Sequence, residues 1–398
     1  MNRTINPTVA LVALLAAAPA AAGEWDITGF VGADARAFWL DARFPEQDNG
    51  LDASILVQPE FYWRSDDGAH RFSIVGFGRV DSQDSERTHA DVREFYWGYE
   101  ADGWDLNIGV NKVFWGVTES RHLVDVINQT DLVEDIDQED KLGQPMVNFN
   151  LERDFGRFEF FVLPWFRERT FPGPDGRFRP ALPVDTDNPV YESSAEDAHV
   201  DLAFRYSHFI GDVDLGLSFF EGTSREPGFV PAPDGERLLP FYEQMTQVGL
   251  DLQYTRDAWL WKLEAIGRDT NSDSFLATVA GFEYTFYGVR ESAADIGILV
   301  EALYDGRDAD SPPTVFDNDV FVGTRLALND AEDTSVLAGV AYDVDTGEIF
   351  LNVEAERRFG DSLSAELRLR SFAGAEPADA SYSFERDDYL QLRLSWYY

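Results

Sequence analysis

The sequence predicts an all-β chain closing into a transmembrane antiparallel β-barrel of about 18 strands, and three observations carry this reading. Apolar and polar residues alternate over segments of roughly ten positions, the period of a strand with one face in lipid, not the three-and-four spacing of a helix. Turn-like connections alternate with long ones. The polar faces carry charges that a dry sandwich core could hold only at a cost of several kcal/mol each, whereas the wet lumen of a wide barrel accommodates them.

In chain order the strands fall near 25–40, 52–64, 69–82, 90–101, 103–115 and 144–154. They continue at 155–166, 199–210, 211–222, 243–256, 257–269 and 274–288, and end at 294–305, 317–329, 333–343, 347–359, 361–372 and 387–398. The alternation is plainest in the last segment, where Leu390, Leu392, Leu394, Trp396 and Tyr398 share a face and Gln391, Arg393, Ser395 and Tyr397 share the other. Even-numbered connections such as Ser65-Asp66-Asp67-Gly68, Ala101-Asp102-Gly103 and Phe359-Gly360-Asp361 are turns. Odd-numbered ones include the long stretches 116–143, 167–198, 223–242, 306–316 and 373–386. This parity predicts both termini in the periplasm and the long loops outside.

Residues 1–22 read as a cleaved signal peptide: Arg3, the apolar run from Val9 to Ala18, then small residues before Gly23-Glu24-Trp25. The run is short of the roughly 20 residues that a spanning helix needs. Residues 23–398 are then a single barrel domain in the outer membrane. Trp39, Trp63, Trp97, Trp104, Trp115, Trp165, Trp259, Trp261, Trp396 and Tyr398 sit near strand ends, where a bilayer interface favours them.

The chain of 398 residues has 73 acidic against 32 basic side chains, a net charge of −41, and no cysteine. Disulfides and thiolate metal sites are excluded, and nucleic acid is disfavoured as a partner. The 14% aromatic content excludes disorder. Acidic stretches such as Asp305 to Asp310 could gather divalent cations bridging lipopolysaccharide phosphates, but none has calcium-loop spacing. Saline adaptation would account for the acidity without setting a substrate.

These features resemble the porin-type outer-membrane barrels of Gram-negative bacteria. A narrower likeness lies in Lys112-Val113-Phe114-Trp115-Gly116, followed by Asp125-Val126-Ile127-Asn128 and Asp131. It resembles the Trp-Gly…Val-Ile-Asn-Pro…Asp segment of a family of large, uncharacterised proteobacterial outer-membrane barrels, with Gln129 in place of the proline. The porin resemblance implies a third external loop folded into the lumen, which makes 116–143 the candidate constriction. Its charged residues Glu119, Arg121, Asp125, Asp131, Glu134, Asp135, Asp137, Glu139 and Asp140 are the constriction candidates, and its apolar residues predict packing against the barrel wall; the alternative is an external acidic loop with a short helix capped by Thr130. Arg36, Arg358, Arg368, Arg370 and Arg393 fall on neighbouring strands across the closure and form a candidate basic lumen wall. Opposite lie Glu152, Glu159, Asp201, Asp214 and Asp251, which gives either a transverse field across the lumen or, with Glu354, Glu356 and Glu366 neutralising the arginines next door, a set of lateral salt bridges.

No catalytic arrangement stands out. The five histidines stand singly, and Ser120-Arg121-His122 lies near a rim, where adjacent residues of a strand point to opposite faces. No cofactor or metal ligand set is present in the pattern. The expected function is therefore a porin or channel passing small cationic or neutral solutes through an acidic, water-filled lumen. The alternative is a partner-dependent export conduit or surface receptor without open-pore activity. Lipid, lipopolysaccharide and small solutes are the expected partners. Trimers are common among porins, but no residue pattern specifies a homo-oligomer.

Overall fold

The computed structural model describes residues 23–398, other than 48, 310 and 378. The expected signal peptide over 1–22 lies outside the described residues, as does Asp310 of the acidic stretch. The chain forms β1 (Gly23–Phe38), β2 (Leu51–Ser65), β3 (His70–Asp81), β4 (Ala90–Ala101), β5 (Trp104–Asn111), β6 (Gln144–Arg153) and β7 (Gly156–Leu163). Next come β8 (Val190–Tyr191), β9 (Asp201–Ile210), β10 (Val213–Thr223), β11 (Gly228–Pro231), β12 (Leu238–Tyr242), β13 (Gln244–Arg256) and β14 (Trp259–Thr270). The series ends with β15 (Ser274–Phe286), β16 (Asp295–Asp305), β17 (Asn318–Ala327), β18 (Ser335–Asp343), β19 (Ile349–Phe359), β20 (Leu363–Ala373) and β21 (Tyr389–Tyr397).

Eighteen of these strands form one antiparallel sheet, and the pairing of β1 with both β2 and β21 closes it into a barrel. β8, β11 and β12 form a separate small sheet within the long connections, an element that the alternation pattern does not reveal. Short turns alternate with long loops through most of the barrel; the connections after Thr270 and after Asp343 fall at long-loop positions and are short, and the one between Phe286 and Asp295 falls at a short-turn position and is longer than either. Gly103 and Gly360 take positive φ angles of 72° and 64° in two of the turns, a conformation that side chains disfavour. Gly23 pairs with Ser65 beside a short turn, and the Tyr397 N–H donates to the Ser362 carbonyl in another, so both ends of the described chain lie at the short-turn rim.

The period-2 pattern sorts the faces. Along β2, Leu51, Ile55 and Val57 point outward and are exposed, while Asp52, Ser54 and Leu56 point inward and are buried. Burial of the inward face changes along the barrel axis. On β1, Glu24, Asp26 and Thr28 are exposed, whereas Asp34, Arg36 and Phe38 are buried. On β2 the inward Tyr62, near the turns, keeps 39% of its surface accessible. The lumen is thus open in the short-turn half and filled in the loop half.

A girdle of aromatic pairs marks the short-turn end: Trp25 with Trp63 at 6.2 Å, Tyr99 with Trp104 at 5.4 Å, Trp259 with Trp261 at 5.4 Å and Trp396 with Tyr398 at 5.8 Å. Trp39 and Trp165 are exposed at the far ends of β1 and β7. Trp115 departs from the interfacial expectation. β5 stops at Asn111, and the chain then turns into the barrel, where Trp115 lies buried against Phe161 at 5.7 Å beneath the Arg205 guanidinium.

Candidate functional site

What fills the loop half is chiefly the connection between β5 and β6. Its residues Leu123, Val124, Val126 and Ile127 are buried with Phe161, Phe220, Ile266, Phe275 and Leu299 of the barrel wall in one apolar cluster. Complete burial of a Val, Leu or Ile side chain stabilises by roughly 1.5–3 kcal/mol, so these side chains alone strongly favour the inserted position. An exposed acidic loop would have no use for them.

Polar groups fix the insertion. Two wall carboxylates accept from the loop backbone. Glu264 of β14 accepts from Val117 N–H at 2.6 Å, Thr118 N–H at 3.0 Å, Thr118 Oγ1 at 2.7 Å and Val124 N–H at 3.1 Å. Glu301 of β16 accepts from Glu119 N–H at 2.9 Å, Ser120 N–H at 2.8 Å and Ser120 Oγ at 2.6 Å. His122 bridges Glu139 at 3.0 Å and Glu264 at 3.6 Å. Burial opposes its protonation, yet the hydrogen bonds and charges of Glu139 and Glu264 raise the imidazole to about 10. Gly116 lies directly beneath His122, where an added Cβ would fall 2.3 Å from Nδ1.

At the base of the loop, Asn128 accepts from Val113 N–H at 2.8 Å and donates to the carbonyls of Asn111 and Leu142, both at 2.9 Å. Asp125 accepts from the N–H groups of Trp115 at 2.6 Å and Gly116 at 2.9 Å. The Trp-Gly and Val-Ile-Asn residues of the sequence motif are therefore the hinge at which the chain leaves β5 and enters the lumen.

Most of the remaining constriction candidates form ion pairs. Asp131 pairs with Arg93 at 2.5 Å, and Glu134 pairs with Arg79 at 2.5 Å and His89 at 2.8 Å. Asp135 pairs with both Arg368 and Arg370, and Asp137 pairs with Arg370 at 2.7 Å. Burial works against ionising Asp135, but Arg370 and Arg368 overcome it and hold the carboxyl well below the usual range. Glu119 pairs with Arg325 at 2.6 Å, and Arg121 with Asp305 at 3.0 Å. Asp140 has no ion pair among the described residues; burial and the nearby acids Asp137, Glu134 and Asp135 push it up to about 6.

Of the candidate basic wall, Arg36, Arg368, Arg370 and Arg393 come together. Arg36 donates to Gln391 and to the Glu134 carbonyl, each at 2.8 Å, and Arg393 reaches Asp34 at 3.2 Å. Arg358 does not join them. It stands next to the last residue of β19, half exposed, 3.6 Å from Asp333 in the neighbouring turn. Acids on the opposite wall have arginines of their own: Asp201 pairs with Arg225 at 2.7 Å and Asp251 with Arg205 at 2.8 Å. Sequence reasoning misses Arg79, which carries the inward parity of β3, and Arg93, which shares the parity of the outward Phe95 and Trp97 and is buried where a bulge shifts the β3–β4 register; it reads Glu264 and Glu301 as lumen charges. Ser120 and His122 are engaged with different wall carboxylates, and no hydrogen bond joins them among the described residues.

A large space remains beside the inserted loop. A cavity of about 580 Å³ lies between the loop and the wall of β17 to β20, and runs out beneath the loops that carry Phe171 and Phe229. Phe321, Leu337, Phe350 and Phe372 line its wall side, with Glu354, Arg368 and Arg370 among them. Leu132, Ile136, Asp137, Glu139 and Lys141 line its loop side.

No protein-family model matches this sequence, and no curated protein matches it. The fold has solved counterparts. One is Wzi, an outer-membrane protein involved in group 1 capsule assembly in Escherichia coli and described as a carbohydrate-binding β-barrel, at 10% identity over 98% of this chain and 87% of that chain with a TM-score of 0.54. Another is a BenF-like porin from Pseudomonas fluorescens Pf-5, at 10% identity over 94% of this chain and 98% of that chain, also with a TM-score of 0.54. At such identities the likeness shows the fold, that of outer-membrane barrels. The resemblance of the central segment to the uncharacterised family rests on its own residues.

Proposed function

We propose that the protein is an outer-membrane channel that passes small solutes through the gap between the inserted β5–β6 loop and the β17–β20 wall. The cavity of about 580 Å³ at that gap, lined by apolar side chains and by charged groups of both signs, is the observation that carries this reading. The gap is mixed in character. Phenylalanines line one side, and acidic and basic side chains also line it: Asp137 and Glu139 from the loop, Glu354 and Arg368 from the wall, with Asp137 in contact with Arg370 at 2.7 Å. Such a passage selects by shape and dipole more than by net charge. The acidic surplus of the whole chain acts before the gap, raising cation concentration at the mouth. A modest preference for cations over anions among inorganic ions follows, with neutral solutes also admitted.

A second reading draws support from the depth of packing around the loop: Val124, Gln129 and Asp131 have no accessible surface. A loop held this firmly suits a barrel that conducts only with a partner, or one that binds a ligand, as Wzi, the capsule-assembly barrel of like fold, binds carbohydrate. Reconstitution of the folded barrel in a planar bilayer separates the two. Steady single-channel steps with a cation-directed reversal potential support the channel, and silence from folded protein supports the partnered or receptor form.

A further inference from the structure

Two cations inside the mouth lack what nearly every other interior cation has. Lys141 is 9% exposed, and its Nζ reaches only Thr130 Oγ1 at 3.3 Å. Arg169, on the loop after β7, donates from Nε to Gln129 Oε1 at 3.3 Å and from its backbone N–H to the Tyr242 hydroxyl at 2.9 Å. Among the described residues neither has a carboxylate at ion-pairing distance, and the terminal amino groups of Arg169 have no partner. In a chain with 73 acids to 32 bases, two unneutralised cations side by side are unexpected. The nearby acids are already engaged: Asp125 holds the N–H groups of Trp115 and Gly116, and Glu226 is bound by Arg268 at 2.9 Å and Arg307 at 3.0 Å.

The backbone brings the two together. Thr130 bridges to Lys141 antiparallel and Asp131 bridges to Thr170 in parallel, so the two cations flank one segment, roughly 10 Å apart by two strand spacings. Both line the cavity. Beside them in the lining, Phe171 and Phe229 meet edge to face at 5.6 Å, with Leu132 adjacent. Burial lowers the Lys141 ammonium; Asp125, Glu139 and Asp137 oppose that shift and the Arg169 charge adds to it, so an incoming anion would favour the charged form.

We infer that Lys141 and Arg169 form an anion-binding subsite in the gap, and that its ligand is an organic carboxylate whose apolar body lies against Phe171 and Phe229. This rests on the channel reading and names the class of solute that pauses in the passage. It differs from a selectivity set by the acidic loop, because both cations come from loops and neither belongs to the barrel wall.

The test is isothermal titration calorimetry of the folded, detergent-solubilised barrel with phenylacetate, phenylacetamide and inorganic phosphate. Saturable binding of phenylacetate is expected, with phenylacetamide and phosphate each at least about tenfold weaker. Lys141→Met and Arg169→Gln should each weaken phenylacetate about tenfold, and Arg358→Gln, at the opposite rim, should leave it unchanged. Heat-modifiable migration confirms that each variant has folded. Equal binding of acid and amide, equal binding of phosphate, absence of phenylacetate binding, or full binding by the double variant would each overturn the subsite. Because binding is read without ion flow, binding by a barrel silent in bilayers removes the channel reading alone, and steady conductance without binding removes the subsite alone.

Discussion

Thr118 of the inserted loop donates twice to Glu264 of the barrel wall, from its backbone N–H at 3.0 Å and from Oγ1 at 2.7 Å. A carboxylate that could have been one more lumen charge is instead the fastener that holds the loop inside the barrel. Hydrogen bonds to a charged acceptor contribute about 1.5–3 kcal/mol each, and water reaching the vacated donors would offset part of that. Glu264→Ala should therefore free residues 117–124 without unfolding the barrel. Single-channel recording is expected to show larger and noisier steps than the parent protein, and unchanged steps would mean that the loop does not limit the pore.

Asp135 is the acid on which the basic wall converges. Asp135→Asn leaves Arg370, which has no accessible surface, and Arg368 without their main counter-charge. Breaking one side of a buried pair costs about 3–5 kcal/mol. The midpoint of the heat-modifiability transition should fall. Adding Arg370→Gln to Asp135→Asn should recover part of the loss, and a double variant less stable than both single variants would contradict the pairing.

The loop hinge offers a test without charges. Asn128→Ala removes the acceptor for Val113 N–H and the donors to the Asn111 and Leu142 carbonyls. At about 1 kcal/mol per bond, a destabilisation of roughly 2–3 kcal/mol is expected from thermal unfolding in detergent. Asn128→Asp, which keeps the acceptor and loses the donors, should fall between the two.

His122 sets a pH limit on the clamp. Its folded value of about 10 lies above the unfolded value near 6.5, so the stabilisation it brings is complete below about pH 6.5 and disappears as pH rises through about 10. Channel conductance should be steady from pH 5 to 8 and rise or become noisy approaching pH 10. In His122→Gln that alkaline change should be missing, and a transition that persists in the variant belongs to another group.

Much of this is legible in the sequence because strand periodicity reports facing directly. A residue such as Arg370 or Leu392 is placed by parity alone, and loop-length parity supplies the order of connections. Insertion of the β5–β6 loop is likewise readable, since Leu123, Val124, Val126 and Ile127 are too apolar for a solvated loop. What parity does not carry is the pairing. Glu264 reads as a pore charge until the loop backbone is seen against it, and the acids of the loop read as a selectivity filter until Arg79, Arg93, Arg368 and Arg370 are found on them. Trp115 misleads for a related reason: it follows a strand at the usual distance of a girdle tryptophan, and only the hydrogen bonds from its N–H and that of Gly116 to Asp125 show that the chain has turned inward. Arg358 shares the parity of the wall but sits too near the end of β19 to reach it.

The claim that solutes pass between the loop and the β17–β20 wall is tested most directly by blocking that gap. The chain has no cysteine, so Asn352→Cys, in the lining of the cavity, provides a unique attachment point. Single-channel conductance of the reconstituted variant should show steady steps that shrink or vanish when a bulky methanethiosulfonate reagent is added. Steps of undiminished size after complete labelling, or folded protein that never conducts, would contradict it.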